Sequence, residues 1–152
     1  MTCHPEPIVI LVADDDPEDC MLLRDAFREN RLVNDLRFVA NGEELLDYLC
    51  HHGRYADAAT APRPGLILLD LNMPRKDGRE ALQEIKADPA LRQIPVVVLT
   101  TSQAEEDICR TYDLGVNSYI AKPVTFESLV EVVRTLGQYW FGIVRLPQAK
   151  GQ

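Results

Sequence analysis

No stretch of this chain gathers Lys and Arg into a basic stripe: its 152 residues carry 16 Lys and Arg against 24 Asp and Glu, for a net charge of -8. A nucleic-acid surface needs clustered cations to neutralise phosphates, so that class of partner is excluded and a cationic protein surface suits the chain better. No apolar run approaches the ~18 residues of a membrane span. The opening Met1-Thr2-Cys3-His4-Pro5 lacks the basic and apolar regions of a secretory signal. The expectation is a cytoplasmic protein with no membrane partner. Cysteine is sparse and scattered, at Cys3, Cys20, Cys50 and Cys109, with neither a CxxC pair nor the close spacing of a zinc site, which reads as reduced thiols in a reducing compartment. His51 and His52 are adjacent, which on a helix points them apart, so they read as solvated loop or helix-end residues rather than ligands. Neither GxGxxG nor GxxxxGK[ST] follows the first strand-like run, which argues against a nucleotide-binding module.

What is present is ordinary globular material, 46% hydrophobic and 26% charged, of a length that suits one domain. Residues 8–12, 66–69 and 96–99 are continuous Val, Ile and Leu, the character of parallel strands covered on both faces. A fourth run covers 118–121, and the more alternating 36–40 reads as an edge strand. Helical patterns lie between them. Pro17 opens one, with Met21, Leu22 and Phe27 on its buried face as far as Asn30. Gly42 precedes a second, with Leu45, Leu46 and Leu49. Gly78 precedes a third, with Ala81, Leu82 and Ile85, stopped by Asp88-Pro89. Ser102 is the expected cap of a fourth, with Glu105 as its capping-box partner and Gly115 at its end. Thr125 is the expected cap of a fifth, with Leu129, Val132, Val133 and Leu136 on one face. Five strand–helix units with right-handed crossovers give an α/β, flavodoxin-like, doubly wound parallel sheet of five strands in the order 2-1-3-4-5 with five helices. Residues 6–138 form that domain. The segments 53–64 and 139–152 fall outside its core.

Each strand-like run ends in a polar residue of a particular kind: Asp14 and Asp15, Asp70, Thr100, and Lys122-Pro123. Ligands of open parallel sheets bind outside the carboxyl ends of the strands, so these side chains would converge from distant parts of the chain. Three carboxylates brought together repel unless a cation neutralises them, and an all-oxygen set favours Mg²⁺ or Mn²⁺ over zinc. Beside such an ion Asp70 would be the nucleophile for a phosphoryl group, while Lys122 and Thr100 disperse the charge on its oxygens. Taken singly, an Asp at a strand end is more often a helix cap, a Thr there a satisfied terminus, and Lys-Pro a turn. The weight lies in their conjunction.

Four stretches, in order and at strand ends, carry a resemblance: Val9-Ile10-Leu11-Val12-Ala13-Asp14-Asp15-Asp16, Leu68-Leu69-Asp70-Leu71-Asn72-Met73-Pro74 with Asp77-Gly78, Val98-Leu99-Thr100-Thr101-Ser102, and Tyr119-Ile120-Ala121-Lys122-Pro123. The chain resembles the CheY-like receiver domain of two-component response regulators over nearly its whole length. The resemblance implies that Asp70 accepts a phosphoryl group from a histidine kinase. Asp15, Asp70 and the Asn72 backbone carbonyl would ligate Mg²⁺, with Asp14 acting through a water. Lys122 would contact the phosphoryl group and precede a cis peptide to Pro123. Thr100, with Thr101 beside it, and Tyr119 would form the phosphoryl-binding and switch set, while Asn72 and Ser102 would tune hydrolysis. From the residues alone, Tyr119 reads equally as a half-buried strand aromatic.

The 139–152 segment holds Tyr139, Trp140 and Phe141, an apolar group suited to packing back on its own domain or to a dimer or partner contact. The chain stops soon after the fifth helix, which leaves no room for an output domain and implies signalling by protein contact. This tail, the 53–64 insertion, and the phrases Asp77-Gly78-Arg79-Glu80 and Leu99-Thr100-Thr101-Ser102-Gln103-Ala104-Glu105-Glu106-Asp107 look like the single-domain regulators that partner phytochrome histidine kinases. That likeness implies a homodimer through the helix-four to helix-five region and a phytochrome-type kinase as donor. The expected role is a self-phosphorylating and self-dephosphorylating switch, not a metabolic enzyme. The competing readings are a haloacid-dehalogenase-type phosphatase, whose second Asp two residues after the nucleophile is here Asn72, and a constitutive interaction module.

Overall fold

The computed structural model describes residues 8–139. Five strands, β1 (Val9–Ala13), β2 (Asp35–Val39), β3 (Leu66–Leu69), β4 (Val96–Thr100) and β5 (Ser118–Ala121), alternate with α1 (Pro17–Glu29), α2 (Gly42–Cys50), α3 (Gly78–Ala87), α4 (Glu105–Leu114) and α5 (Phe126–Leu136). All the strand pairs are parallel and the sheet order is β2-β1-β3-β4-β5, as the alternation of runs predicts.

The pleat explains why the central runs are apolar throughout. Ile10 and Val12, Leu66 and Leu68, and Val97 and Leu99 face one core with Leu23, Ala26 and Phe27 of α1 and Val133 and Leu136 of α5. Their neighbours Leu11 and Ala13, Ile67 and Leu69, and Val96 and Val98 face a second core with Leu45, Tyr48 and Leu49 of α2 and Ala81, Leu82 and Ile85 of α3.

Local chemistry sets the helix ends. Asp16 caps α1 by accepting from Glu18 N, Asn41 caps α2, Thr125 caps α5, and Asp77 with Glu80 forms a reciprocal capping box at α3. Gly115 ends α4 in the left-handed region, φ 100°, as expected of a helix-ending glycine.

Four local expectations are corrected. Met21 is 56% exposed; the inward face of α1 is Leu23, Ala26 and Phe27. Ser102 does not cap α4, which starts after Ala104 without a side-chain cap. Its hydroxyl is drawn instead to Asp107 Oδ2 at 2.6 Å, a charge-assisted bond stronger than one to a backbone amide. The 53–64 segment contributes to the core rather than lying wholly outside it: Ala61 is fully buried in the α2–α3 core, Tyr48 donates to Pro62 O at 2.8 Å, and His51 Nε2 lies 2.8 Å from Ala61 O. Finally, no cis peptide bond occurs among the described residues, so the bond between Lys122 and Pro123 is trans, the geometry that even a prolyl bond favours.

Candidate phosphoacceptor site

The site is an extension of the sheet's own hydrogen bonding. Asp14 N donates to Val39 O at 3.0 Å, Asp70 N to Ala13 O at 3.0 Å, and Lys122 N to Thr100 O at 2.8 Å, so each residue after a strand is still held by its neighbour. The α3 helix begins pressed against the same turn. Gly78 N donates to Leu71 O at 3.0 Å, and a Cβ on Gly78 would stand 2.3 Å from Asp70 O, so only glycine allows this approach.

Asp14, Asp70 and Thr100 are buried there. Thr100 Oγ1 donates to Asp70 Oδ1 at 2.7 Å, and Asn72 N donates to the same oxygen at 3.2 Å. Lys122 Nζ lies 3.1 Å from Asp70 Oδ2, 2.8 Å from Asp14 Oδ2 and 2.7 Å from Asp19 Oδ2. Burial alone would lower the Lys122 pKa, but the bonded carboxylates of Asp14 and Asp19 outweigh it and raise it. Asp14 moves up as well, because its burial outweighs help from Lys122 and from Asp16 N. The two shifts in one pair differ in origin: Lys122 gathers three carboxylates, whereas Asp14 has a single cation. Cys20 is silenced by the same surroundings, its thiol pushed up to about 11 by burial and by Asp14 and Asp19.

Carboxylate oxygens of Asp14, Asp15 and Asp70 lie within 4.8 Å of one another. Three hard oxygen donors and no nitrogen or sulfur fit Mg²⁺ or Mn²⁺, which neutralise the repulsion a single ammonium leaves uncompensated.

Not every expected site residue joins this cluster. Thr101 is exposed, its hydroxyl 3.5 Å from Asn72 Nδ2. Tyr119 is half-buried against the core, with its hydroxyl donating to Ser102 O at 2.8 Å. Pro123 lines, together with Lys122, a cavity of about 90 Å³ between α1 and α5. Tyr139 is exposed, and Trp140 and Phe141 lie outside the described residues.

Three participants escaped sequence reasoning. Asp19 sits in the first turn of α1, where an acid reads as ordinary helix-end electrostatics. Arg79 and Asp107 pair through Arg79 Nε to Oδ1 and Nη2 to Oδ2, both at 2.6 Å, while Arg79 Nη2 also lies 3.4 Å from Asn72 Oδ1. Their placement in the first turns of two consecutive helices was the available signal.

The model of the response regulator receiver domain family matches residues 10–134, and the chain belongs to that family. Response regulator Rcp1 of Synechocystis sp. (strain ATCC 27184 / PCC 6803 / Kazusa) is 41% identical over 143 residues, 94% of this chain and 95% of its own. The Mn²⁺-bound form of Rcp1 superposes with a TM-score of 0.85 at 40% identity, over 93% of this chain and all of that one. The phosphorylated cyanobacterial phytochrome response regulator RcpA superposes at 0.87 with 42% identity, over 94% of this chain and all of that one. RPA3017, a response regulator in red light signalling of R. palustris, superposes at 0.87 with 38% identity, over 93% of this chain and 99% of that one.

Proposed function

We propose that Asp70 accepts a phosphoryl group from the phosphohistidine of a histidine kinase, and that residues 6–138 act as the receiver domain of a switch. The carrying observation is a buried Asp70 at the end of β3, with Thr100 and Lys122 on its two oxygens and oxygens of Asp14 and Asp15 within 4.8 Å. Asp15, Asp70 and the Asn72 carbonyl would hold Mg²⁺, or Mn²⁺ in its place, with Asp14 acting through water. The ion supplies charge neutralisation at the phosphoryl oxygens.

In the transfer an Asp70 oxygen bonds to phosphorus as the P–N bond breaks. The electron pair of that bond stays with the donor imidazole, which carries the proton that keeps it neutral. Thr100 and Lys122 turn from the carboxylate to the new phosphoryl oxygens. Moving the Thr100 hydroxyl shifts the backbone toward Ser102, whose carbonyl holds Tyr119 in the resting state. Tyr119 and the α4–β5–α5 face would then rearrange, with Thr101 beside Thr100 in the phosphoryl-binding and switch set, while Asn72 and Ser102 flank the phosphoryl group and set its lifetime.

The relatives described as phytochrome or red light regulators support a phytochrome-type kinase as donor. We infer a cytoplasmic homodimer formed through α4, β5 and α5 with Tyr139, Trp140 and Phe141, signalling by protein contact without nucleic acid or membrane. No helix among the described residues is long and apolar enough to cross a membrane. Asn72, where a haloacid-dehalogenase-type phosphatase carries its second Asp, argues for a switch over turnover of outside substrates.

The test is intact mass and size-exclusion elution after incubation with Mg²⁺ and acetyl phosphate, beside Asp70→Asn. One phosphoryl group on the parent and none on the variant is expected, with earlier elution of the phosphorylated form if dimerisation is the output. Failure of the parent with acetyl phosphate, kinase donors and beryllofluoride alike would overturn the proposal.

A further inference from the structure

The Lys122 ammonium pairs with three carboxylates, donating hydrogen bonds to Asp19 and Asp70 and forming an ion pair with Asp14, and the shortest contact, 2.7 Å, is to Asp19. Asp14 and Asp70 belong to the oxygen set that fits a divalent ion, whereas Asp19 does not. Nor is Asp19 the cap of α1, a role taken by Asp16. A cation entering between Asp14, Asp15 and Asp70 competes with the Lys122 ammonium for the carboxylates of Asp14 and Asp70 and repels it. Lys122 must give ground without leaving the site, because its reach to Asp70 is what places it on a phosphoryl group. Among the described residues, Asp19 is the one carboxylate paired with the Lys122 ammonium that lies outside the ion's oxygen set.

We infer that Asp19 is a positioning residue that draws the Lys122 ammonium aside, so that the site can take its divalent ion while Lys122 stays within reach of Asp70. This rests on the reading of the pocket as a metal-dependent phosphoacceptor site. Without Asp19 the carboxylates left to the ammonium among the described residues are Asp14 and Asp70, and it opposes the ion directly.

The experiment is calorimetric titration with Mg²⁺ alone, no phosphoryl donor present, of the full chain, Asp19→Asn, Asp19→Glu, Lys122→Met and the double variant Asp19→Asn/Lys122→Met. Asp19→Asn is expected to weaken Mg²⁺ binding roughly three- to tenfold, the scale of coupling between contacting charged groups. In the Lys122→Met background the same change should alter affinity less than about twofold, since the ammonium it acts through is gone. Asp19→Glu keeps the carboxylate and should bind nearly as the parent does. Equal losses with and without Lys122 would mean that Asp19 acts as a plain through-space charge and would overturn the inference while leaving the phosphoacceptor reading intact. So would an Asp19→Glu loss as large as that of Asp19→Asn. A parent that takes up no Mg²⁺ would overturn both.

Discussion

Asp107→Asn removes one charge from the pair that joins the first turns of α3 and α4, and its cost can be worked from the structure. Arg79 meets both Asp107 oxygens and Ser102 Oγ adds a third bond, all at 2.6 Å. The Arg79 and Asp107 side chains are 23% and 13% exposed, against 74% and 43% for Arg28 and Asp25, a surface pair from which little is expected. Bonding to Arg79 holds Asp107 at about 2, below the ordinary 3.8, with burial opposing and Ser102 helping. That gap corresponds to roughly 2.5 kcal/mol, and solvent at the cleft mouth screens it to about 1–2 kcal/mol. Because the folded value is depressed, this stability is fully present above 3.8 and is lost as the pH falls toward 2. About half remains near pH 3. Urea unfolding of parent and variant should therefore differ by about 1–2 kcal/mol at pH 7 and pH 5, with the gap roughly halved at pH 3. A variant as stable as the parent at pH 7, or a gap unchanged at pH 3, would refute the reasoning.

Lys122→Met leaves Asp14, Asp19 and Asp70 facing one another without their cation, at a cost of about 3 kcal/mol in chelator. Added Mg²⁺ should restore more stability to it than it adds to the parent, and thermal melts showing equal gains would contradict this. Gly78→Ala drives a methyl into the Asp70 carbonyl and should cost about 1–3 kcal/mol while slowing phosphorylation; unchanged melting would mean the helix start gives way freely. Tyr119→Phe removes the bond to Ser102 O, worth about 1 kcal/mol, and should speed hydrogen exchange in the β4–α4 loop. Exchange at the parent rate would show that this bond does not hold the loop.

Much of the site was legible because each of its principal residues directly follows a continuous apolar run or closes one. Two-sided burial makes such runs visible, and the parallel alternation then fixes the end of the sheet at which Asp14, Asp15, Asp70, Thr100 and Lys122 meet. Side-chain partners between elements were not legible. Ser102 has the spacing of a cap, yet the nearby Asp107 acceptor claims its hydroxyl. Met21 has the spacing of a core residue, yet α1 is rotated so that Leu23, Ala26 and Phe27 take the inward face. The 53–64 segment reads as a loop, but where it crosses α2 decides that Ala61 is buried.

The sequence by itself determined the class of fold, the order of the strands and the acids, hydroxyl and ammonium at their ends, because hydrophobic periodicity and strand-end chemistry are local properties of the chain. Tertiary structure alone decided that Lys122 divides its ammonium among three carboxylates including Asp19 and that Arg79 locks onto Asp107. These depend on how helices lean against the sheet within an ångström or two. Hydrogen bonds and ion pairs are sensitive to displacements of that size, and the pattern of polar and apolar residues is not.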